Sequence, residues 1–489
     1  MSRPQVGGRR PGRHRWSRFI EAVGVRWVDD RRAWWMTDKR SRGDRDDGGR
    51  RGGPVTSPAP PVTDGRPLAG MRVVDLSRLI PGPWCSQILA GLGAEVIKVE
   101  TPLAGDYARM APAELGFGGI FEALNRGKKS VAVNHRLPRG REIVLRLAAA
   151  ADVFLESSMP GQLARRGLGP DDVRGVNPRL VYCSISGFGQ TGPYRERPGH
   201  DLDYLAIGGL LTLLGPIGAQ PAPPGIQIAD LAGGTSAALQ IVAALLRRER
   251  TGEGATLDVA ILDAVVAMLG PLGEALDTAG GPDAVPSALS GAFPCYGVYA
   301  TADGEYLAVG ALEPPFWVEL CRGLGREDLV ARQYDPTAIP EVAAILATRS
   351  QADWLEDLDE DACVAPVNEP REVELDRHLI ARGLIVGEGD TARIGSPLGI
   401  PGAVGHRPAT DTSAGGRGSA SVAPVLGAHT HEVLEGVGFD ADEITSLERD
   451  GIIAGPPTPE AEARRARLAS MLARMADRGR VASPEADNR

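Results

Sequence analysis

The sequence predicts an α/β fold: a parallel sheet covered by helices on both faces, followed by a smaller α+β domain. Three observations predict it. Short apolar runs such as Val73-Val74, Val96-Ile97 and Val153-Phe154-Leu155 alternate with helical stretches from Met71 onward, the order expected of parallel strands joined by crossover helices. Apolar residues make up 43% of the 489-residue chain and aromatics only 5%, so the core draws mainly on Ala, Leu, Val and Ile. Past a stretch rich in Gly, Pro, Ser and Asp (275–292), the pattern changes to a hairpin followed by short helices.

The elements follow in order. Residues 72–76 read as a buried strand, and 83–91 as a helix opening on Pro and closing at Gly. Strands are expected at 94–100, 130–133, 153–155 and 180–185, with a helix at 140–150 between the second and third of these. A long Ala/Leu helix is expected over 231–250, with basic residues in its last turn and Gly252 just beyond. Residues 256–259 begin a further strand–helix pair. Residues 296–309 alternate across Asp303-Gly304, a hairpin signal, and helical segments follow at 315–324, 340–348 and 352–358. The stretch 394–404 and a helix at 429–436 are expected to return to the first domain, with a flexible loop at 409–422 between them. The expected organisation is a disordered basic extension (1–66), the first part of a large domain (67–265), a linker (266–291), a small domain (292–385), a return to the large domain (386–455) and a charged tail (456–489).

The net charge of -9 is uneven. Residues 1–66 carry 16 Lys+Arg against 8 Asp+Glu, so the remaining body is strongly acidic. An acidic body repels nucleic acid and soluble anions in general, and any anionic ligand needs a local basic pocket. No apolar run of about 18 residues appears, so no membrane span is expected. The five cysteines form no C-x-x-C pair, which argues against a thiolate metal site or a disulfide scaffold and fits a reducing cytoplasm. The extension lacks the apolar core of a secretory signal.

Gly187-Phe188-Gly189-Gln190-Thr191-Gly192 matches G-x-G-x-x-G after a strand, but Pro193 and Pro198 follow. A dinucleotide loop must open directly into a helix, and these prolines oppose one. Three residues stand out as candidates for chemistry. His200 sits in Gly199-His200-Asp201-Leu202-Asp203-Tyr204 at the start of an apolar helix, where Asp201 and Asp203 are also able to cap. Asp230 precedes Leu231-Ala232-Gly233-Gly234 and reads as the N-cap of the long helix. The dipole there favours its charge, which also makes it a weaker base. Glu313 lies between a strand and a helix of the small domain. Composition alone does not bring the three together.

Taken in order, several stretches resemble the family III CoA-transferases (CaiB/BaiF type), and within them the alpha-methylacyl-CoA racemase branch. They are Leu68-Ala69-Gly70-Met71-Arg72-Val73-Val74-Asp75-Leu76 with Pro81-Gly82-Pro83, Gly93-Ala94-Glu95-Val96-Ile97-Lys98-Val99-Glu100, Asn125-Arg126-Gly127-Lys128-Lys129-Ser130, the glycine loop from Ser186 to Pro193, and Thr251-Gly252-Glu253-Gly254. The racemase branch rests on the His200 stretch, Asp230, Ala302-Asp303-Gly304-Glu305-Tyr306 with Glu313, and Asp361-Ala362-Cys363-Val364-Ala365-Pro366-Val367. Ser157-Ser158-Met159-Pro160-Gly161 departs from the commoner form of its motif, and residues 1–66 have no family counterpart. The resemblance implies a Rossmann-like large domain, a small domain and a homodimer of interlocked rings. It implies His200, Asp230 and Glu313 as catalytic residues, and Lys98, Arg126, Lys129, Gly199, Asp201 and Tyr204 as contacts to coenzyme A. Lys98, Arg126 and Lys129 are the residues expected against its phosphates. The expected substrate is an acyl-CoA. No metal or redox cofactor is expected, because coenzyme A is part of the substrate. The expected reaction is inversion of the α-carbon of a 2-methylacyl-CoA by two bases. A CoA-transferase using Asp230 as nucleophile is the alternative, and a non-catalytic CoA-binding protein a third.

Overall fold

The computed structural model describes residues 66–111, 118–216, 219–272, 287–387, 392–395 and 422–458. The expected basic extension up to residue 65, the 273–286 part of the linker, most of the 409–422 loop and the tail from 459 onward lie outside them.

Seven strands form the main sheet: β1 (Arg72–Asp75), β2 (Glu95–Glu100), β3 (Lys129–Val133), β4 (Val153–Glu156), β5 (Val181–Ser186), β6 (Ala255–Ala260) and, from the far end of the chain, Ile453–Ala454. The order across the sheet starts at Ile453–Ala454 and runs through β3, β2, β1, β4 and β5 to β6. All neighbours pair in parallel except Ile453–Ala454, which is antiparallel to β3. The fold is thus mixed α/β with a mainly parallel central sheet. Alternate residues fill two cores. Val74, Ile97, Val131, Val133 and Phe154 face the helices Pro138–Ala149 and Ala441–Arg449. Val73, Val96, Val153, Leu155 and Cys183 face the helices Pro81–Gly91 and Ile228–Thr251. Burial on both faces is why these strands read as continuous apolar runs.

The Ile228–Thr251 helix is long and apolar enough to cross a membrane by length and composition, contrary to the expectation of no such segment. In this chain it is a core helix. Ala229, Gly233, Gly234, Ala237, Ala238 and Ile241 are buried along it. Gly234 is there for close approach: a Cβ would stand 2.4 Å from the Pro81 carbonyl oxygen. The helix also begins three residues before its expected start, so Asp230 is a first-turn residue and not the N-cap.

The hairpin of β7 (Tyr296–Ala300) and β8 (Tyr306–Gly310), joined by β9 (Val364–Pro366), forms a separate antiparallel sheet. Trp317, Leu320, Leu329, Val342, Leu346 and Trp354 give it its own core. A short antiparallel pair, β10 (Ile385–Val386) and β11 (Arg393–Ile394), follows. The chain then returns to the main sheet: the His429 amide donates to the Ser130 carbonyl at 3.0 Å, and Ile453–Ala454, here β12, covers the β3 edge.

A buried ionic network ties the strand ends together. The Lys98 ammonium is fully buried, 3.0 Å from Asp106 and 3.0 Å from the Ser77 carbonyl. Burial opposes its charge, but Asp75, Asp106 and Glu100 outweigh burial and hold its pKa above the ordinary value. Burial likewise opposes the Asp75 charge, yet Lys98, Lys128 and the Ser77 and Ser86 hydroxyls hold that carboxyl below its usual range. Glu100 is held low too, because Arg109 overcomes its burial with two bonds of 2.7 Å. Asp106→Ala leaves the Lys98 charge short of its nearest partner and is expected to cost about 3–5 kcal/mol in urea unfolding. Because the Asp75 and Glu100 carboxyls bind protons less readily when folded, their contribution is present above their ordinary values of 3.8 and 4.5. It is lost as the pH falls below them, so the urea midpoint of the native chain should drop on acidification through that window.

Candidate active site

The strand order reverses between β1 and β4, and a crevice opens there beyond the carboxyl ends of the strands. A cavity of about 530 Å³ occupies this position, lined by Arg78 after β1, Thr101 after β2, His135 and Arg136 after β3, and Ser158 and Arg166 after β4. Its acidic neighbours are already neutralised, Glu100 by Arg109 and Asp106 by Lys98. Among the described residues no carboxylate pairs with Arg78, Arg136 or Arg166. Burial, together with Arg136, Arg78 and Arg165, pulls the Arg166 guanidinium below its usual value. His135 reports the same field: burial first, then Arg166 and Arg136, lowers its pKa to about 4, and its Nδ1 is buried without a hydrogen-bond partner. Three unpaired guanidiniums around a neutral imidazole suit a polyanion such as a phosphate group.

The loop that carries Arg78 is held in an unusual shape. Leu79 has φ 65, a left-handed conformation that costs a non-glycine residue roughly 1–3 kcal/mol. Its amide donates to both Asp106 carboxylate oxygens at 3.1 and 3.3 Å, and the Arg78 amide donates to the Ser157 hydroxyl at 3.0 Å. The buried network therefore fixes one wall of the cavity.

The residues expected to meet phosphate lie elsewhere. Lys98 cannot, because its ammonium is fully buried and already paired with Asp106. Lys129 bridges Glu95 and Glu432 at 2.8 and 2.7 Å. Arg126 donates to the Ile394 carbonyl at 3.4 Å. None of the three lines the cavity. Arg78, Arg136 and Arg166 line it instead, and linear sequence did not single them out because they follow strands that only the sheet order makes neighbours.

The helix starts that carry His200 and Asp230 meet. The helix Asp201–Ile207 starts at His200, whose amide donates to Asp203 at 2.9 Å. His200 is exposed. The Asp201 carboxylate reaches across to the long helix and accepts the Asp230 amide at 3.0 Å and the Ala229 amide as well. Burial first, and then the like charge of Asp201, pushes the Asp230 carboxyl up to about 7. This removes the tension in the sequence reading, in which a helix start made Asp230 too weak a base. Gly233 and Gly234 lie in the second turn, where their lack of a side chain admits Ile261 and Pro81.

Tyr204 is buried, and its hydroxyl donates to the Gly199 carbonyl at 2.7 Å. The Tyr204 ring fills the space a Gly187 side chain would take, with its hydroxyl 2.3 Å from a Cβ built there. The glycine loop thus seats the Tyr204 ring, and no helix follows it, as the prolines predict. Glu313 precedes the helix Pro314–Gly323 and is exposed. No hydrogen bond or ion pair joins it to His200 within this chain.

Fold and site together describe a doubly wound α/β protein with a cation-lined cavity and a carboxylate poised near neutrality. The model of CoA-transferase family III matches residues 68–430, and the chain belongs to that family. It is 36% identical to human alpha-methylacyl-CoA racemase over 397 residues, covering 79% of this chain and 97% of that one. It is 35% identical to mouse succinyl-CoA:glutarate CoA-transferase over 404 residues, covering 79% and 90%. A crystal structure of a CAIB/BAIF family protein from Brucella suis superposes with a TM-score of 0.63 at 29% identity, covering 76% of this chain and all of that one. The chain is an enzyme of this transferase and racemase family, and an acyl-CoA substrate is consistent with it.

In carboxyl-selective ¹³C NMR of the native chain, one carboxyl should titrate near pH 7 and be missing from Asp230→Asn. A difference spectrum with no such resonance would remove the neutral-range carboxylate.

Proposed function

We propose that this enzyme inverts the α-carbon of 2-methylacyl-CoA thioesters by two-base proton transfer through an enolate. The observation that carries this reading is the 3.0 Å bond from the Asp230 amide to Asp201, which ties the helix start bearing His200 to the turn bearing Asp230. One group removes the α-proton, and the other returns a proton to the opposite face. The C–H electron pair moves into the carbonyl as an enolate and back again, so no net oxidation occurs and no redox cofactor or metal is required. A carboxyl near 7 exchanges protons readily at neutral pH. The exposed start of the His200 helix puts the Asp201 amide within reach of the enolate oxygen.

The cavity at the strand reversal takes the phosphates of coenzyme A on Arg78, Arg136 and Arg166. Glu313 pairs with His200 from a second copy in a homodimer, since no bond joins them within one chain. It would favour the charged imidazole. The expected setting is the cytoplasm.

The family also supports a second reading, because CoA-transferases match at nearly the same identity as racemases. In that reaction the Asp230 carboxylate attacks the thioester carbonyl, expels the CoA thiolate and forms a mixed anhydride. His200 would then have no essential part.

A 2-methylacyl-CoA incubated in D₂O without an acceptor acid should gain α-deuterium and yield both epimers. His200→Ala and Asp230→Ala should each slow this by about 10²–10⁴-fold without loss of fold by circular dichroism. Exchange that waits for an acceptor acid, with an acyl-enzyme trapped by hydroxylamine, would establish the transferase instead.

Charge-assisted bonds to phosphate are worth about 1.5–3 kcal/mol. Arg136→Ala and Arg166→Ala should therefore each raise KM for the thioester by about tenfold or more while kcat changes little. An unchanged KM would move the phosphates out of this cavity.

A further inference from the structure

We propose that Asp201 is a positioning residue for the chemistry of Asp230, fixing the backbone of the Asp230 turn and setting a carboxylate beside its side chain from the neighbouring helix. The proposal rests on the reading of Asp230 as the proton-transferring carboxylate and adds a residue that acts through it.

Helix starts leave amides without partners, and the residue at the N-cap ordinarily satisfies one of them. Here Gln227 occupies the N-cap and makes no side-chain bond. The acceptor comes instead from Asp201, 29 residues earlier in the chain, and serves Ala229 and Asp230 together. Asp203, two residues on, does a different task by closing its own helix on the His200 amide at 2.9 Å. The two acids of the Gly199-His200-Asp201-Leu202-Asp203 stretch are thus divided between two helices.

An asparagine, serine or threonine would accept the same amides without bringing charge. An aspartate places a negative group beside a partly buried carboxylate, in surroundings where like charges repel strongly. Burial leads in raising the Asp230 carboxyl, and Asp201 adds to it. Asp201 is itself raised by burial, which its two backbone bonds offset in part. The other titratable groups nearby do not supply this effect. Tyr204 is buried, and its own proton is held more tightly by burial and by the charge of Asp230. Asp203 and, on the Ile261–Met268 helix, Asp263 are exposed. On β6, Asp258 accepts the Gln190 amide at 3.0 Å. Cys85 of the Pro81–Gly91 helix is fully buried and held protonated by that burial.

The direction follows from the charge. With Asp201 neutralised, Asp230 loses its proton at lower pH, and the base form is populated further into acid. Asp201→Asn keeps an oxygen for the Ala229 and Asp230 amides and removes only the charge. The acid limb of kcat/KM for α-proton exchange in D₂O should move acidward by about one pH unit. Asp201→Ser, which also keeps an oxygen, should move it the same way and serves if the asparagine variant fails to fold. Asp201→Ala, which removes the acceptor too, should lower kcat by about 10²-fold, with the KM for the thioester within about threefold of native. A limb that stays in place in both Asp201→Asn and Asp201→Ser overturns the proposal while leaving the proton-transfer reading intact. Native exchange rates in Asp230→Asn overturn the parent reading itself, whatever the Asp201 variants do.

Discussion

A parallel sheet whose strand order reverses has to open at the reversal, because the connections on either side lead away in opposite directions. In this chain that opening lies between β1 and β4. The loops after β1, β2, β3 and β4 all end at it, and each supplies part of one wall. Unpaired cations converging there repel one another, so the surrounding protein has to hold them rigidly. The ionic network beneath them does this. Lys98 bridges the first two strands by bonding the Ser77 carbonyl and Asp106. Asp106 in turn holds Leu79 in its left-handed conformation next to Arg78. Charges buried under the floor of the cavity thus keep the charges on its wall in place.

This division explains why the lysine most easily picked from the sequence is the one that cannot meet a ligand. Lys98 sits in Glu95-Val96-Ile97-Lys98-Val99-Glu100, a strand whose neighbours are buried on both faces. A charge in such a strand is buried with its neighbours and needs an ionic partner of its own. Its partner, Asp106, comes from the following loop. Arg78 and Arg136 lie in loops and Arg166 ends the short 3-10 helix Ala164–Arg166; all three keep their charge at any ordinary pH and reach the cavity because of where their strands stand in the sheet. Linear spacing carries no trace of that neighbourhood. Strand order does.

The strands themselves were legible nearly residue by residue. The expected 94–100 became Glu95–Glu100, and 153–155 became Val153–Glu156, because a doubly buried strand carries apolar residues toward both faces. The hairpin across Asp303-Gly304 was legible in the alternation of residues 296–309. The start of the long helix was not. Gln227 is a poor capping residue, and Asp230 is a good one, so local preference pointed three residues too far along. The actual cap is a tertiary one, the Asp201 carboxylate, which no local rule contains.

The same contact adds to burial in setting what kind of acid Asp230 is. A first-turn carboxylate facing solvent is stabilised by the helix dipole and titrates low. Here the amides that express the dipole are already bonded to Asp201, so their positive ends are partly spent on a neighbouring negative charge. Burial and repulsion then act on Asp230 with little to oppose them. The outcome is a carboxyl near 7 at the end of a helix that would ordinarily acidify it. The raised carboxyl belongs to the crossing between two helix starts, while the cations gather on the segments at the strand reversal. An acidic chain thus carries a neutral-range carboxyl and a cation-lined cavity on different elements.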